Sequence, residues 1–494
     1  MITGSAVLWL VVAIILARAI YRTFLHPLSH YPGPKLAAIS NLPYVTWWLS
    51  GNLHLRLREL HDKYGEVVRI RPDALTYSCP QAWQDIYGHR RQGDPVFIRD
   101  PEYHSSASQG AAAHMINAQE TDHARQKRLL SHAFSERSLR EQESLITSHI
   151  DLFIQRLGAY ADTGTKANIK EWLNFLTFDI IGDLAFGEPF GCLKSSECHP
   201  WVSMIFKSIK TGAFLRTLSV YPALAFVIRK LMPASLVRQR VQHYQLGKET
   251  LNKRLRQKTD RPDFVTYILR YNDERGMRLP EIEANATLII QAGSETTATA
   301  LSASIFYLQK HPAWWEKTVH EVREEFTASD EIGFLTTSKL PCLNAVLEES
   351  IRLFPPAPSI NPRLVPEGGG VINGSFVPGG VSVSVPHYAT YRSARNFAFP
   401  DCFLPERWLG AAQYSEDRRE AFQPFSFGPK ACIGRNLAYA EMRTVLAKLL
   451  WHFDLTMDEK CSRWDESRTY VVWDKPDLWL RLRRANKDGK SPSS

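Results

Sequence analysis

The sequence predicts a mostly α-helical protein with small β-sheets, a single domain behind an N-terminal transmembrane helix. Three observations carry this. Most of the patterned segments are long and carry apolar positions at helical spacing, whereas runs alternating apolar and polar residues are few and short. An uncharged apolar run opens the chain, and no repeat or linker-like stretch divides the remainder. The composition agrees: 44% apolar, 22% charged and 11% aromatic residues exclude a disordered, collagen-like or polytopic membrane protein. Seven cysteines without a CxxC pair indicate neither a disulfide scaffold nor a zinc module.

Residues 2–17, ITGSAVLWLVVAIILA, carry no charge, and continuing through Tyr21 with Arg18 snorkelling gives about 20 residues, enough to span a bilayer. The positive charges come after this run, whereas a cleaved signal peptide carries them in front. Residues 1–21 are therefore expected as an anchor that leaves the rest of the chain on the cytoplasmic side. Under this topology the triplets Asn285-Ala286-Thr287 and Asn373-Gly374-Ser375 are not glycosylated. The net charge of +9 sits at the two ends: residues 1–58 hold five basic residues and no acid, and Arg481 to Ser494 contribute the whole remainder. A formally neutral middle excludes a nucleic-acid footprint and fits a membrane-proximal basic segment. Residues 22–40, with His26-Pro27 and Tyr31-Pro32-Gly33-Pro34, read as a stiff hinge.

Residues 41–482 then form the domain. Helical periodicity covers 53–64, 121–134, 140–160, 170–186, 235–258, 280–311, 312–327, 338–354 and 435–451. Alternating runs occupy 67–71, 75–78, 381–385, 470–472 and 478–482. The last residues, 483–494, read as a basic disordered tail.

The strongest chemical signal is Phe425-Ser426-Phe427-Gly428-Pro429-Lys430-Ala431-Cys432-Ile433-Gly434, a turn-rich stretch running into the helix that starts near Arg435. Free N–H groups and the positive dipole end of that helix are expected to lower the Cys432 pKa and favour its thiolate. Gly428 and Gly434 let backbone pass close to a flat partner, and Lys430 can reach a carboxylate. A rigidly held thiolate is a good axial ligand for iron. The pattern F-x-x-G-x-K-x-C-x-G resembles the haem-binding signature of the cytochrome P-450 monooxygenases, and further motifs extend that resemblance over essentially the whole chain.

Glu349 and Arg352 stand at i and i+3 on a helix stopped by Pro355-Pro356, where Glu348 at i,i+4 competes for the arginine. Similarity to the family's E-x-x-R motif selects Glu349 with Arg352, adds Arg407 as a structural triad, and leaves Glu348 exposed. The segment 280–311 carries Ala292-Gly293-Ser294-Glu295-Thr296-Thr297, where a glycine and hydroxyls can weaken the helix and open a groove. It resembles the family's oxygen-binding segment, which implies that Gly293 makes room for dioxygen and that Glu295 and Thr296 are the catalytic residues that relay protons. Haem propionates call for basic partners. His123 and Lys127 match the family's W-x-x-x-R position with both residues replaced, Arg128 is an alternative to Lys127, and Arg363 looks like the second propionate ligand.

The resemblance thus implies haem b held by Phe425, Gly428, Lys430, Cys432 and Gly434 together with His123, Lys127 or Arg128, and Arg363, with Cys432 on the iron. No G-x-G-x-x-G after a strand, P-loop or flavin motif is present, so electrons come from elsewhere. The implied donor is a membrane-bound NADPH-cytochrome P-450 reductase meeting Lys430, Arg435, Arg137 and Arg140. The pocket would draw on 109–115, 201–226, Leu288, Ile289, Ala292, 357–360 and 470–472, mainly small or apolar residues suited to a hydrophobic small molecule. Stretches such as YPGPKLAAIS and LHDKYGEVVRIRPDALTYS look like microsomal enzymes of fungal secondary metabolism, implying an endoplasmic reticulum enzyme oxidising a terpenoid, polyketide or alkaloid. Two other readings stay open here: an oxygen-independent haem-thiolate isomerase or dehydratase, and a membrane-tethered haem protein without turnover.

Overall fold

The computed structural model describes residues 4–486 apart from 92, 105–111, 258, 275 and most of 200–233. Helix α1 (Gly4–Ile20) continues into a π-turn over Tyr21–Leu25. Within this stretch Ser5–Leu25 is, among the described residues, the one helix long and apolar enough to cross a membrane, and its most apolar window is wholly unburied.

The segment expected as a hinge is instead strapped to the body. Arg69, 2% exposed, donates to the carbonyls of Arg22 (2.9 Å), Leu28 (3.2 Å) and Pro72 (2.8 Å), and Arg22 donates to Ile39 O at 2.5 Å. A buried arginine here draws its acceptors from the chain's own carbonyls, which fixes the path of the strap. Gly33 has no room for a side chain, since a Cβ would lie 2.3 Å from Arg69 O.

The body is built from α2 (Leu53–Tyr64), α3 (Glu120–Ala133), α4 (Glu136–Thr163), α5 (Ile169–Phe186), α6 (Ala234–Leu255), α7 (Phe264–Tyr271), α8 (Leu279–Lys310), α9 (Pro312–Glu325), α10 (Pro341–Leu353) and α11 (Arg435–His452). Most match the expected segments to within two or three residues. Helix α7 has no counterpart among the expected segments, and the largest shifts at helix starts have local causes. Helix α4 begins four residues early because Ser135 caps it, accepting from Ser138 N at 3.2 Å, and α10 begins at Pro341 because Phe334–Thr337 forms its own short turn. Helix α8 is held at its start by Glu281, which accepts from Arg278 N at 2.8 Å, and runs for 32 residues, about 48 Å. It lies in the middle of the core and packs against α5, α6, α10 and α11.

Strands β1 (Val67–Arg71), β2 (Ala74–Tyr77), β3 (Ile98–Arg99), β4 (Lys166–Asn168), β5 (Arg363–Leu364), β6 (Gly370–Ile372), β7 (Ser375–Val377), β8 (Ser382–Ser384), β9 (Phe453–Met457), β10 (Arg468–Tyr470), β11 (Val472–Asp474) and β12 (Trp479–Arg484) form small sheets. The largest has the order β1-β2-β8-β5-β3, and β4-β12-β9 form a second. Two expectations change. The run 470–472 is no single strand but the turn of the β10–β11 hairpin, with Val471 at φ 82°. Arg483 and Arg484, assigned to the tail, pair with Asp454 and Phe453 in β12, and Arg484 also holds Asp162 at 2.5 and 2.7 Å.

Candidate functional site

The loop before α11 doubles back so that Cys432 N donates to Phe425 O at 2.8 Å. Gly428 makes the turn possible twice over: its φ is +71°, and a Cβ would lie 2.0 Å from the carbonyl oxygen of Tyr87. Gly434 caps α11, and a Cβ there would stand 4.0 Å from Cys432 Sγ. Cys432 is accessible yet densely surrounded, and that burial raises its thiol above the ordinary value; the Gly434 N–H and the Lys127 ammonium pull the other way without overcoming it. The expected lowering by the helix end is present but outweighed by burial. A thiol in this setting ionises on binding a metal rather than in advance.

Beside the loop, cations converge from four parts of the chain. His123 of α3 is buried and pushed down to about 3 by desolvation and then by Arg99, Lys430, Lys127 and Arg363. Arg363 on β5 is 1% exposed, its guanidinium lies 5.3 Å from the Tyr87 ring centre, and its Nη1 has no hydrogen-bond partner among the described residues. Across the β3–β5 ladder it directly faces Arg99, whose Nη1 donates to Met115 O (2.5 Å) and Ile116 O (2.7 Å). Like charges opposite one another weaken a ladder unless an anion sits between them. Burial, then Arg363, pushes Arg99 down to about 9, and burial, then Arg363, takes Lys430 down to about 8 although it pairs with Glu120. Lys127 donates to Pro429 O at 2.5 Å. Arg128, the alternative to Lys127, is half exposed and turned away toward Asp273 at 3.6 Å, outside the cluster. Arg99 carried no signal in the sequence; only the register of two two-residue strands brings it here.

On α8, Leu288, Ala292 and Thr296 stand at i, i+4 and i+8 as an accessible stripe in a helix otherwise largely buried. The helix stays α-helical through this stretch. Its hydroxyls turn back on their own helix, Ser294 to Ile290 O (2.6 Å), Thr296 to Ala292 O (2.6 Å) and Thr299 to Glu295 O (2.7 Å). Gly293 points at α5, where a Cβ would meet Ile181 Cδ1 at 2.8 Å, so its smallness lets two helices approach closely. Glu295 is buried and paired with Lys475, a residue the sequence did not single out. Of the expected pocket stretches, 109–111 and nearly all of 201–226 lie outside the described residues; Ile360 and Val471 join Tyr44, Trp48 and Tyr103 in one apolar cluster.

Behind the loop, Glu349, Arg352 and Arg407 come together fully buried. Glu349 Oε1 accepts from Arg352 Nη2 (2.8 Å), Arg407 Nε (3.1 Å) and Leu404 N (2.9 Å), and Oε2 from Arg352 Nε (2.8 Å) and Trp408 Nε1 (2.9 Å). Arg407 also pairs with buried Asp417, a fourth member that sequence reasoning missed. Glu348 is not exposed as expected: it is half-buried, accepts from Tyr439 Oη at 2.8 Å, and burial raises its carboxyl.

The chain is similar to known proteins over nearly its whole length. The family model described as Cytochrome P-450 matches residues 32–480. The chain is 61% identical over 473 residues to the cytochrome P-450 monooxygenase astJ of Aspergillus oryzae, covering 95% of this chain and 94% of that protein. It is 40% identical to the trichothecene C-15 hydroxylase of Fusarium sporotrichioides (97% and 96% covered) and 41% identical to the averantin hydroxylase of Dothistroma septosporum (97% and 90% covered).

Proposed function

The chain belongs to the cytochrome P-450 family and is a haem-thiolate monooxygenase, and from that premise we propose that Cys432 would ligate the iron of a haem b and that Arg99, His123, Lys127, Arg363 and Lys430 would hold its propionates. The observation that carries the assignment is the basic cluster beside the Cys432 loop: it contains two facing arginines, one of them buried with an orphaned Nη1, and Glu120 is the carboxylate paired into it. Such a cluster is costly alone and fits a dianionic group.

When bound, haem supplies the oxygen chemistry, placing one atom of dioxygen in the substrate and releasing the other as water with two electrons and two protons. The chain's residues do the rest. Gly428 and Gly434 keep the thiolate loop close, and Phe425, whose ring lies 5.0 Å from that of Tyr439, backs it. Leu288 and Ala292 present an apolar surface that holds a hydrophobic substrate and excludes water. Thr296 Oγ1 holds a delivering water, and Glu295 supplies its proton.

Electrons come from a membrane-bound NADPH-cytochrome P-450 reductase that meets the exposed Arg137, Arg140 and Arg435; Lys430, buried and paired with Glu120, leaves that set. The apolar helix over Ser5–Leu25 and the basic residues toward and beyond its end fit a single-pass anchor, expected over 1–21, in the endoplasmic reticulum with residues 41–482 on the cytoplasmic side. The similarity to hydroxylases of trichothecene and averantin supports a hydrophobic fungal secondary metabolite, a terpenoid, polyketide or alkaloid, as substrate.

The reduced carbon monoxide difference spectrum tests the core of this reading. Wild-type protein is expected to give the thiolate-ligated spectrum and Cys432→Ala to lose it, because the loop offers no other soft anionic ligand. Survival of that spectrum in Cys432→Ala overturns the assignment. In Thr296→Val, spectrum and haem content persist while peroxide replaces organic product; unchanged coupling removes Thr296 from the proton path.

A further inference from the structure

Lys475 stands in the short connection between β11 and β12, where nothing in the sequence suggests a role. Yet its side chain is 3% exposed, and its ammonium bonds both Glu295 Oε1 and Thr299 Oγ1 on α8. Burying a lysine and a carboxylate costs several kcal/mol per ion before their attraction is counted, and an apolar pair of similar volume holds a fold equally well. Stability alone therefore does not explain the pair.

Two of the buried glutamates, Glu349 and Glu295, differ in a telling way. Glu349, the structural one, has both oxygens saturated. Glu295 has Oε1 occupied by Lys475 and Thr299, at 3.3 Å for the latter, while Oε2 is buried with no partner among the described residues. One fixed and one open oxygen, on the residue next to Thr296, suit proton exchange better than bracing. The charged groups acting on Lys475 are Glu295 and Lys170, and Lys170 pairs at 2.6 Å with Asp477, two residues beyond Lys475 at the surface. Burial lowers the Lys475 ammonium from its ordinary value, which eases release of a proton.

We propose that Lys475 is the positioning and proton-feeding residue for Glu295, clamping the carboxylate by Oε1, passing a proton to it for delivery at Thr296, and being refilled from the Lys170–Asp477 surface edge. The proton passes from Nζ to the carboxylate, leaving a neutral amine and a neutral carboxyl. That proton sits on Oε1; the neutral carboxyl, no longer held by an ion pair, turns to bring it to the side Oε2 had occupied and hands it to the water at Thr296. The amine regains one from solvent, which restores the ammonium–carboxylate pair so that charge balances over the cycle. This rests on the reading that Glu295 and Thr296 deliver protons.

The test uses full-length, haem-loaded protein reconstituted with reductase, without added substrate, and tracks NADPH consumed, peroxide released, water formed and the solvent deuterium isotope effect. In Lys475→Met water formation falls about 10- to 100-fold and the isotope effect rises, less than the roughly 10²- to 10⁴-fold of losing a general acid outright. Lys475→Arg restores both toward wild type. Glu295→Gln matches Lys475→Met, and the double variant is no worse than either, since both sit on one path. An infrared carboxylic-acid band should appear in Lys475→Met and be absent from the double variant, which reports the clamp independently of turnover. If Lys475→Met keeps wild-type water formation and isotope effect, Lys475 is structural only and the proposal falls. If Glu295→Gln is itself unchanged, the underlying reading of Glu295 falls with it. If Lys475→Met does not fold, the neutral double variant decides by the same comparison.

Discussion

Replacing Glu349 by alanine leaves one arginine buried without an anion. Arg407 retains Asp417 and the carbonyl of Ala398, but Arg352 keeps only the carbonyls of Tyr391 (2.8 Å), Pro400 (2.7 Å) and Cys402 (3.0 Å). Carbonyl dipoles orient a guanidinium without neutralising it, and stranding one member of a buried pair costs about 3 to 5 kcal/mol. Against a total of about 5 to 15 kcal/mol, a loss of about 4 raises the unfolded fraction roughly 10³-fold. Glu349→Gln keeps the shape and some acceptor capacity, so it should lose less. The pH dependence carries the same sign. Burial alone would raise this carboxyl, but Arg352 and then Arg407 outweigh it and hold it low, so its contribution is complete above the ordinary carboxylate range and is lost as pH falls through the folded-state value. Urea midpoints and the yield of haem-bearing protein measure the effect. Wild-type midpoint and yield in Glu349→Ala would refute the reasoning.

Gly428→Ala should abolish most haem-loaded protein, because it forces a left-handed residue with Cβ 2.0 Å from Tyr87 O, whereas Gly434→Ala, whose nearest side-chain contacts are 3.8 and 4.0 Å, should be tolerated better; equal haem yields would contradict this. His61 and His387 are pushed by burial from 6.5 down to about 4. Between those values the unfolded chain binds protons that the folded one refuses, so stability should rise with pH through this window and drop on acidification below 6.5. Urea midpoints that stay flat from neutral pH into this window would argue against it.

Much of the fold was legible because its long helices announce themselves by period and punctuation. Helix α8 is a 32-residue pattern opened by Pro280 and closed before His311-Pro312, and α2 matches its expected span, Leu53–Tyr64. The turn that carries Cys432 was legible through its glycines, since Gly428 takes a left-handed φ of +71°, although the Tyr87 carbonyl that also excludes a Cβ there comes from a distant segment. What the sequence could not reveal is what distant segments bring to the same place. Arg99 meets Arg363 only through the pairing of two two-residue strands too short to leave a periodic signal, and Lys475 reaches Glu295 across 180 residues. Arg128 and Lys127 are neighbours in sequence, yet a turn of about 100° per residue sends one to Asp273 and the other to the Cys432 loop. Charge and burial at a site are sums over everything packed around it, so the raised thiol of Cys432 reflects tertiary surroundings that outweigh the local helix end.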